Sequence, residues 1–255
     1  MTERDPDYMQ SLARGLQVLE AFAVLGQRQS VAGLAAHTGL ARGVVARCLH
    51  TLVRTGHVER QDRHFSVLPG VLRLADAFLS DRSLPALAQP LLEQLRDEIG
   101  ESCSLGVFDR SDILYIARAS RSSIMTIGLR VGSRLPAWCT SMGRVLLAEL
   151  PPADRDALIP ATLPRLTPDT VANRAALDEK LDEALRDGFA LVDQELEAGL
   201  RSIAVPVRDP EARLIAALNV GTNALERSID DLRTRILPRL QATAAALHRE
   251  IGRFM

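Results

Sequence analysis

The sequence predicts an α+β chain in two parts, an N-terminal winged helix-turn-helix and a C-terminal antiparallel sheet flanked by helices. Three observations carry this. Residues 30 to 67 set two amphipathic runs on either side of a glycine and follow them with a short hairpin whose tip is polar. Further on, Ser102 to Phe108 pairs with Ile113 to Ala117, and Ile203 to Val207 with Leu214 to Val220, each across a short turn. Strands adjacent in sequence and joined so closely favour an antiparallel sheet over parallel βαβ units. The domain limits read from these patterns are 9–70 for the winged part, 71–82 for a linker helix and 83–255 for the second domain.

In chain order, Ser11 is expected to cap a first helix through Leu12, Leu16, Leu19 and Ala23 toward Leu25. Ser30 caps a second, with Val31, Leu34, Ala35 and the trailing Leu40 turned inward and Gly39 as its stop. A third opens near Ala41, where Val45, Cys48, Leu49, Leu52 and Val53 share one face. Its other face carries Arg42, Gly43, Ala46, Arg47, His50 and Arg54, small and basic residues suited to a DNA major groove. Gly43 inside this helix costs about 1 kcal/mol relative to Ala, so close approach to DNA is the reading attached to it. The run from His57 to Val67 gives two strands about a polar tip, with Val58, Phe65 and Val67 as apolar anchors. That wing is what favours a DNA-binding motif over an ordinary helical hairpin. The candidate DNA contacts are Ser30, Arg42, Gly43, Val44, Ala46, Arg47 and His50, with Arg63 from the wing.

Leu68-Pro69-Gly70 breaks the pattern, and Val71, Leu72, Leu74, Ala75, Phe78 and Leu79 describe the linker helix, whose apolar stripe calls for the same helix of a second subunit. Ser83 starts a helix through Leu95 and Ile99 that Gly100 ends and Pro90 interrupts. After the first hairpin, a third strand is expected from Ile124 to Leu129, then a helix from Thr140 or Ser141 to Glu149. A helix from Thr170 to Arg186, a strand from Phe189 to Asp193, the second hairpin and a helix from Ser228 to Phe254 complete the chain.

The composition is that of a globular protein: 255 residues, 47% hydrophobic, mean hydropathy +0.03 and net charge -1. The balance is uneven, since residues 9 to 67 hold seven arginines against three acids. Three cysteines without paired spacing point to a reducing compartment, with no disulfide framework, metal site or cofactor expected. No run of 18 apolar residues and no signal peptide are read, so the expected location is the cytoplasm, with no membrane contact.

An enzyme needs a nucleophile, an acid–base pair or a metal cage. No Gly-x-Ser-x-Gly, Walker, Gly-x-Gly-x-x-Gly or His-Glu-x-x-His motif occurs, and the second domain holds His248 alone. No catalytic residue is assigned, and Cys139 reads as a small apolar residue lining a pocket. Polar residues gather in two stretches instead. Arg130, Arg134, Trp138, Cys139, Thr140, Ser141, Met142 and Gly143 surround a helix start, a ready anion site. Asp193, Glu195, Arg201 and Ser202 lie in or beside a loop too polar for a tight hairpin. A carboxylate would gain charge-assisted hydrogen bonds from Arg130, Arg134 or Arg201, which the sequence does not rank, with Met125, Leu129, Trp138, Cys139 and Met142 as the apolar wall.

These stretches resemble the IclR family of bacterial transcriptional regulators. The resemblance spans Ser11 to Leu19, the winged motif, Arg134 to Ala148 and Leu191 to Val207. Arg134-Leu135-Pro136-Ala137, Thr140-Ser141-Met142-Gly143-Arg144 and Gly199-Leu200-Arg201-Ser202 are similar to its PcaR, PcaU and PobR branch, which responds to aromatic-acid catabolites. It implies a GAF-like effector domain, a double-stranded DNA operator, a small carboxylate effector, and a homodimer or dimer of dimers paired mainly through the DNA-binding half. A metabolite-binding protein or enzyme without a DNA partner is the rival. Two departures stand out: Gly70 where the family often has a basic residue, and Asp209-Pro210-Glu211-Ala212 in place of a glycine-containing turn.

Overall fold

The computed structural model describes residues 7–74, 83–121 and 129–254. It divides into two compact units, Met1–Phe78 and Leu79–Met255. In the first, α1 (Gln10–Leu25), α2 (Val31–Thr38) and α3 (Arg42–Arg54) enclose a core of Val18, Phe22, Leu34, Val45 and Leu49, onto which Val58 and Phe65 of the wing close. Ser30 does cap α2, its Oγ accepting from the Gly33 N–H at 3.1 Å, and Gly39 ends it in the left-handed conformation at φ 71°. Ser11 caps nothing: α1 begins at Gln10, two residues earlier, behind Met9, which makes no side-chain cap. The wing strands β2 (Val58–Gln61) and β3 (His64–Val67) turn at Asp62, with φ 55°. A strand that no periodicity announced, β1 (Arg28–Ser30), pairs antiparallel with β3 and ties the start of α2 to the wing.

Gly70 has a steric reason. A Cβ there would lie 2.8 Å from the Gly56 carbonyl oxygen, so the basic side chain common in the family does not fit this backbone. Of the linker stripe, Leu72 and Leu74 are helical and exposed, while Ala75, Phe78 and Leu79 lie outside the described residues, as does the stretch expected to form a strand from Ile124.

The second unit is one six-stranded antiparallel sheet between two layers of helix. Its strands are β4 (Ser102–Asp109), β5 (Asp112–Ala119), β6 (Arg134–Pro136), β7 (Ala190–Asp193), β8 (Leu200–Arg208) and β9 (Leu214–Asn223), in the order β6-β5-β4-β9-β8-β7. Both predicted hairpins are present, and each places a non-glycine residue at positive φ, Arg110 in the first turn and Ala212 in the second. Ala212 holds a left-handed position at φ 62°, and Asp209 secures the turn by accepting from the Arg213 backbone N–H at 2.8 Å.

One face of the sheet packs on α4 (Leu84–Ile99), which runs through Pro90, and on the C-terminal helix. That last helix is one helical run with an irregular middle. Ser228 and Asp231 form a capping box, residues Leu232–Ile236 are π-helical, and α8 (Leu237–Phe254) follows. The other face packs on α5 (Ser141–Ala148), on α7 (Arg174–Asp187) and on the 3-10 turn Ala137–Cys139, while the short α6 (Pro152–Leu158) lies near by in sequence. Helix α7 starts four residues later than expected, behind Asn173, and the Thr170 hydroxyl accepts instead from the Leu166 and Thr167 N–H groups at 3.1 and 2.8 Å.

Candidate functional site

On the α5 face of the sheet lies a cavity of about 200 Å³. Its floor follows from strand register. Arg118, Ser104, Asn219 and Ala204 are cross-strand partners in one row over β5, β4, β9 and β8, and Ser102, Gly221, Ser202 and Val192 form the next row. Small residues in the second row leave the space: a Cβ built on Gly221 meets nothing within 4 Å. Cys139, Thr140 and Ser141 roof the cavity, Leu129, Leu196 and Leu200 supply apolar wall, and Ser120 and Arg121 complete the lining with Tyr115.

A β-bulge decides which side chains of β5 reach it. Register steps from Leu105 opposite Ala117 to Gly106 opposite Tyr115, so Ile116 is unpaired. Ile116 and Ala117 then both bury in the opposite layer, and Tyr115 and Arg118, three residues apart, both face the cavity. Strict alternation could not have put them on one face.

Arg118 is the charge of interest. Its Nη1 donates to Ser104 Oγ at 2.8 Å and its Nε to Ser120 Oγ at 3.1 Å, and no carboxylate pairs with it among the described residues. Burial lowers its pKa from the ordinary arginine value, with Tyr115 and Cys103 opposing. Arg121 differs, since Glu226 at 2.7 Å and the buried Glu101 at 3.4 Å already hold it. Two buried side-chain atoms of the lining, Ser141 Oγ and Asn219 Oδ1, have no hydrogen-bond partner among the described residues. Burial pushes the Cys139 thiol up to about 12, which leaves it protonated and unreactive at neutral pH. No cluster of three or more metal-ligating side chains occurs among the described residues.

In the first unit, Arg42, Gly43, Ala46, Arg47 and His50 all lie on the exposed side of α3, Val44 is half-buried, and Arg63 stands at the exposed wing tip. The guanidinium groups of Arg42, Arg47 and Arg63 make no ion pair or hydrogen bond among the described residues, so their charge is uncommitted. Nothing lies within 4 Å of a Cβ built on Gly43, so only an outside partner would need that space clear.

The IclR helix-turn-helix domain model matches residues 11–62, and the model of the bacterial transcriptional regulator IclR C-terminal domain matches residues 76–249. The chain belongs to the IclR family of transcriptional regulators. It is 41% identical over 245 residues to the Pca regulon regulatory protein of Pseudomonas putida, covering 95% of this chain and 84% of that one. The p-hydroxybenzoate hydroxylase transcriptional activator of Acinetobacter baylyi is 34% identical over 253 residues, with 96% and 92% covered. The crystal structure of an IclR homolog complexed with 4-hydroxybenzoate, from Microbacterium hydrocarbonoxydans, aligns with a TM-score of 0.83 at 27% identity, with 96% and 100% covered.

The effector residues expected from sequence divide sharply within this IclR-type domain. Cys139, Thr140, Ser141 and Ser202 line the cavity; the others do not. Arg134 is turned outward on β6, donating to Asp109 and to Asp112 at 3.2 Å. Arg201 is bidentate to Asp193, at 2.7 and 3.0 Å, and donates also to the Arg227 carbonyl, so these two satisfy each other. Arg130 is exposed and outside the lining. Glu195 is locked to Arg144, a residue sequence reasoning passed over, at 2.7 and 2.6 Å, and accepts from the Val171 N–H as well. Trp138 and Met142 are core. Gly143 is there for packing: a Cβ would fall 2.0 Å from the Ala137 carbonyl oxygen. Met125 lies outside the described residues. Arg118 and Asn219 were missed because each sits mid-strand, and only the bulge and the pairing register aim them at the cavity.

Proposed function

We propose that this IclR-family regulator binds operator DNA through α3 and the wing, as a homodimer or dimer of dimers in the cytoplasm. In this reading it senses a small carboxylate from aromatic-acid catabolism in the cavity over β4, β5 and β9. The carrying observation is Arg118, a half-buried guanidinium at the cavity floor without a carboxylate partner among the described residues. A carboxylate entering the cavity gains charge-assisted hydrogen bonds from it. The α5 N-terminus adds backbone N–H groups above. At about 200 Å³ the space is below the range of drug-sized pockets, which suits one ring or a short chain. The relatives named for the pca regulon and for p-hydroxybenzoate hydroxylase, and the homolog holding 4-hydroxybenzoate, support the aromatic assignment. Binding acts as a switch only if the ligand prefers one arrangement of the domains.

The test pairs a gel shift on the chain's own upstream DNA with calorimetry. A salt-dependent shift that an aromatic acid alters is expected, with Arg118→Met losing acid binding and Arg134→Ala keeping it. Absence of any shift would return the chain to a metabolite-binding role without DNA.

A further inference from the structure

Arg121 belongs to the cavity lining, and Glu226, to which its Nη1 donates at 2.7 Å, does not. The ion pair therefore spans the rim. Both ends are open to water, with side chains 41% and 49% exposed, and Glu226 has no other side-chain partner among the described residues. The second partner of Arg121 is the buried Glu101, at 3.4 Å. Arg227 holds Glu101 more closely, at 2.7 Å, so that carboxylate keeps a cation when Arg121 turns away.

The backbone fixes where Arg121 stands. Its N–H donates to Ser102 Oγ at 3.0 Å, which sets the residue beside the row of Ser102 and Gly221, where the floor is open. Arg118 stands in the neighbouring row, opposite Ser104, two residues or about 7 Å along the sheet. Two arginine side chains span that separation, so one carboxylate over Gly221 comes within reach of both guanidinium groups. Solvation decides which anion Arg121 keeps. An exposed ion pair contributes little, because water and salt screen it, and a released Glu226 is hydrated again at once. A carboxylate inside the cavity, where protein surrounds it, has more to gain from a second charge-assisted hydrogen bond.

Resting on the carboxylate reading above, we infer that Arg121 is a second effector-binding residue, which exchanges Glu226 for the carboxylate that Arg118 also holds. Glu226 is then a built-in competitor. It raises the effector concentration at which the site fills, and with it the threshold at which the regulator responds.

Calorimetry on the full chain tests the exchange with benzoate, 4-hydroxybenzoate and 3,4-dihydroxybenzoate, the tightest of which is carried through the variants. Glu226→Ala removes an exposed side chain and should bind that acid about two- to fivefold more tightly. Arg121→Met should bind it more weakly. The double variant decides, because a carboxylate acting only through its field would tighten binding on removal whether or not Arg121 is present. In the Arg121→Met background, Glu226→Ala should change the affinity by less than about 1.5-fold. Arg121→Gln completes the same cycle should the methionine variant fail to fold. An affinity unchanged or weakened in Glu226→Ala overturns the inference and leaves the carboxylate reading standing. So does a gain of equal size in both backgrounds. If the wild type binds none of the three acids, the carboxylate reading itself falls and takes the inference with it.

Discussion

Arg47 illustrates how a residue's role follows from what it lacks. It stands on the exposed side of α3 with no acid to neutralise it among the described residues, on a face otherwise built of Gly43, Ala46 and His50. Arg47→Ala should weaken operator binding and flatten the plot of log K against log salt by about one unit. Wild-type affinity and slope in that variant would show that another face meets DNA. Burial leaves a different mark on Cys103, Cys139 and Tyr115, whose pKa values all rise to about 12 from ordinary values of 9.0, 9.0 and 10.0. Below pH 9 both folded and unfolded chains keep these protons, and the stability is intact. Between pH 9 and 12 the unfolded chain ionises first, so stability should fall as pH rises. A melting temperature that stays level across that window would contradict the burial of these groups.

Among the elements, α5 carries the most constraint. Gly143 lets it seat on the 3-10 turn, and Gly106 lets Met142 lie on β4, where a Cβ would come within 2.9 Å of the Met142 sulfur. Arg144, 1% exposed, then binds both oxygens of Glu195 and the Trp138 carbonyl, fastening the helix to the loop that supplies Leu196 to the cavity. Removing one partner strands a buried charge. Glu195→Ala should therefore lose about 3–5 kcal/mol in urea unfolding. Arg134→Ala breaks pairs whose side chains are 32–39% exposed and should lose no more than about 1 kcal/mol. Equal losses in the two variants would refute this ranking of the arginines.

For the molecule as a whole, the two units supply the two halves of a regulator, but what joins copies of it is a proposal drawn from the apolar stripe read in the sequence, of which Leu72 is described and is 67% exposed. Exposed leucines on a helix call for a partner, and a second copy provides the same surface. Light scattering at micromolar concentration should find a dimer or tetramer. Footprinting should find half-sites about one DNA turn apart, roughly 34 Å, or a multiple. A monomer in solution would remove the basis for paired half-sites.

The sequence by itself determined the elements whose signals are local. Ser30 and Gly39 bracket α2 because a capping hydroxyl and a left-handed glycine act within one turn, and the two hairpins follow from apolar runs separated by turn residues. The family was legible for the same reason, since its motifs are contiguous. The cavity was half legible. Thr140 to Gly143 announced a helix start, and Cys139, Thr140, Ser141 and Ser202 do line the space, yet three arginines near it in sequence point elsewhere. Which arginine keeps its charge free depends on where every carboxylate ends up, and Asp109, Asp112 and Asp193 reach theirs only once strands are paired. Arg118 and Asn219 became neighbours of the cavity through a bulge and a register three strands wide, a long-range arrangement that no window of sequence encodes.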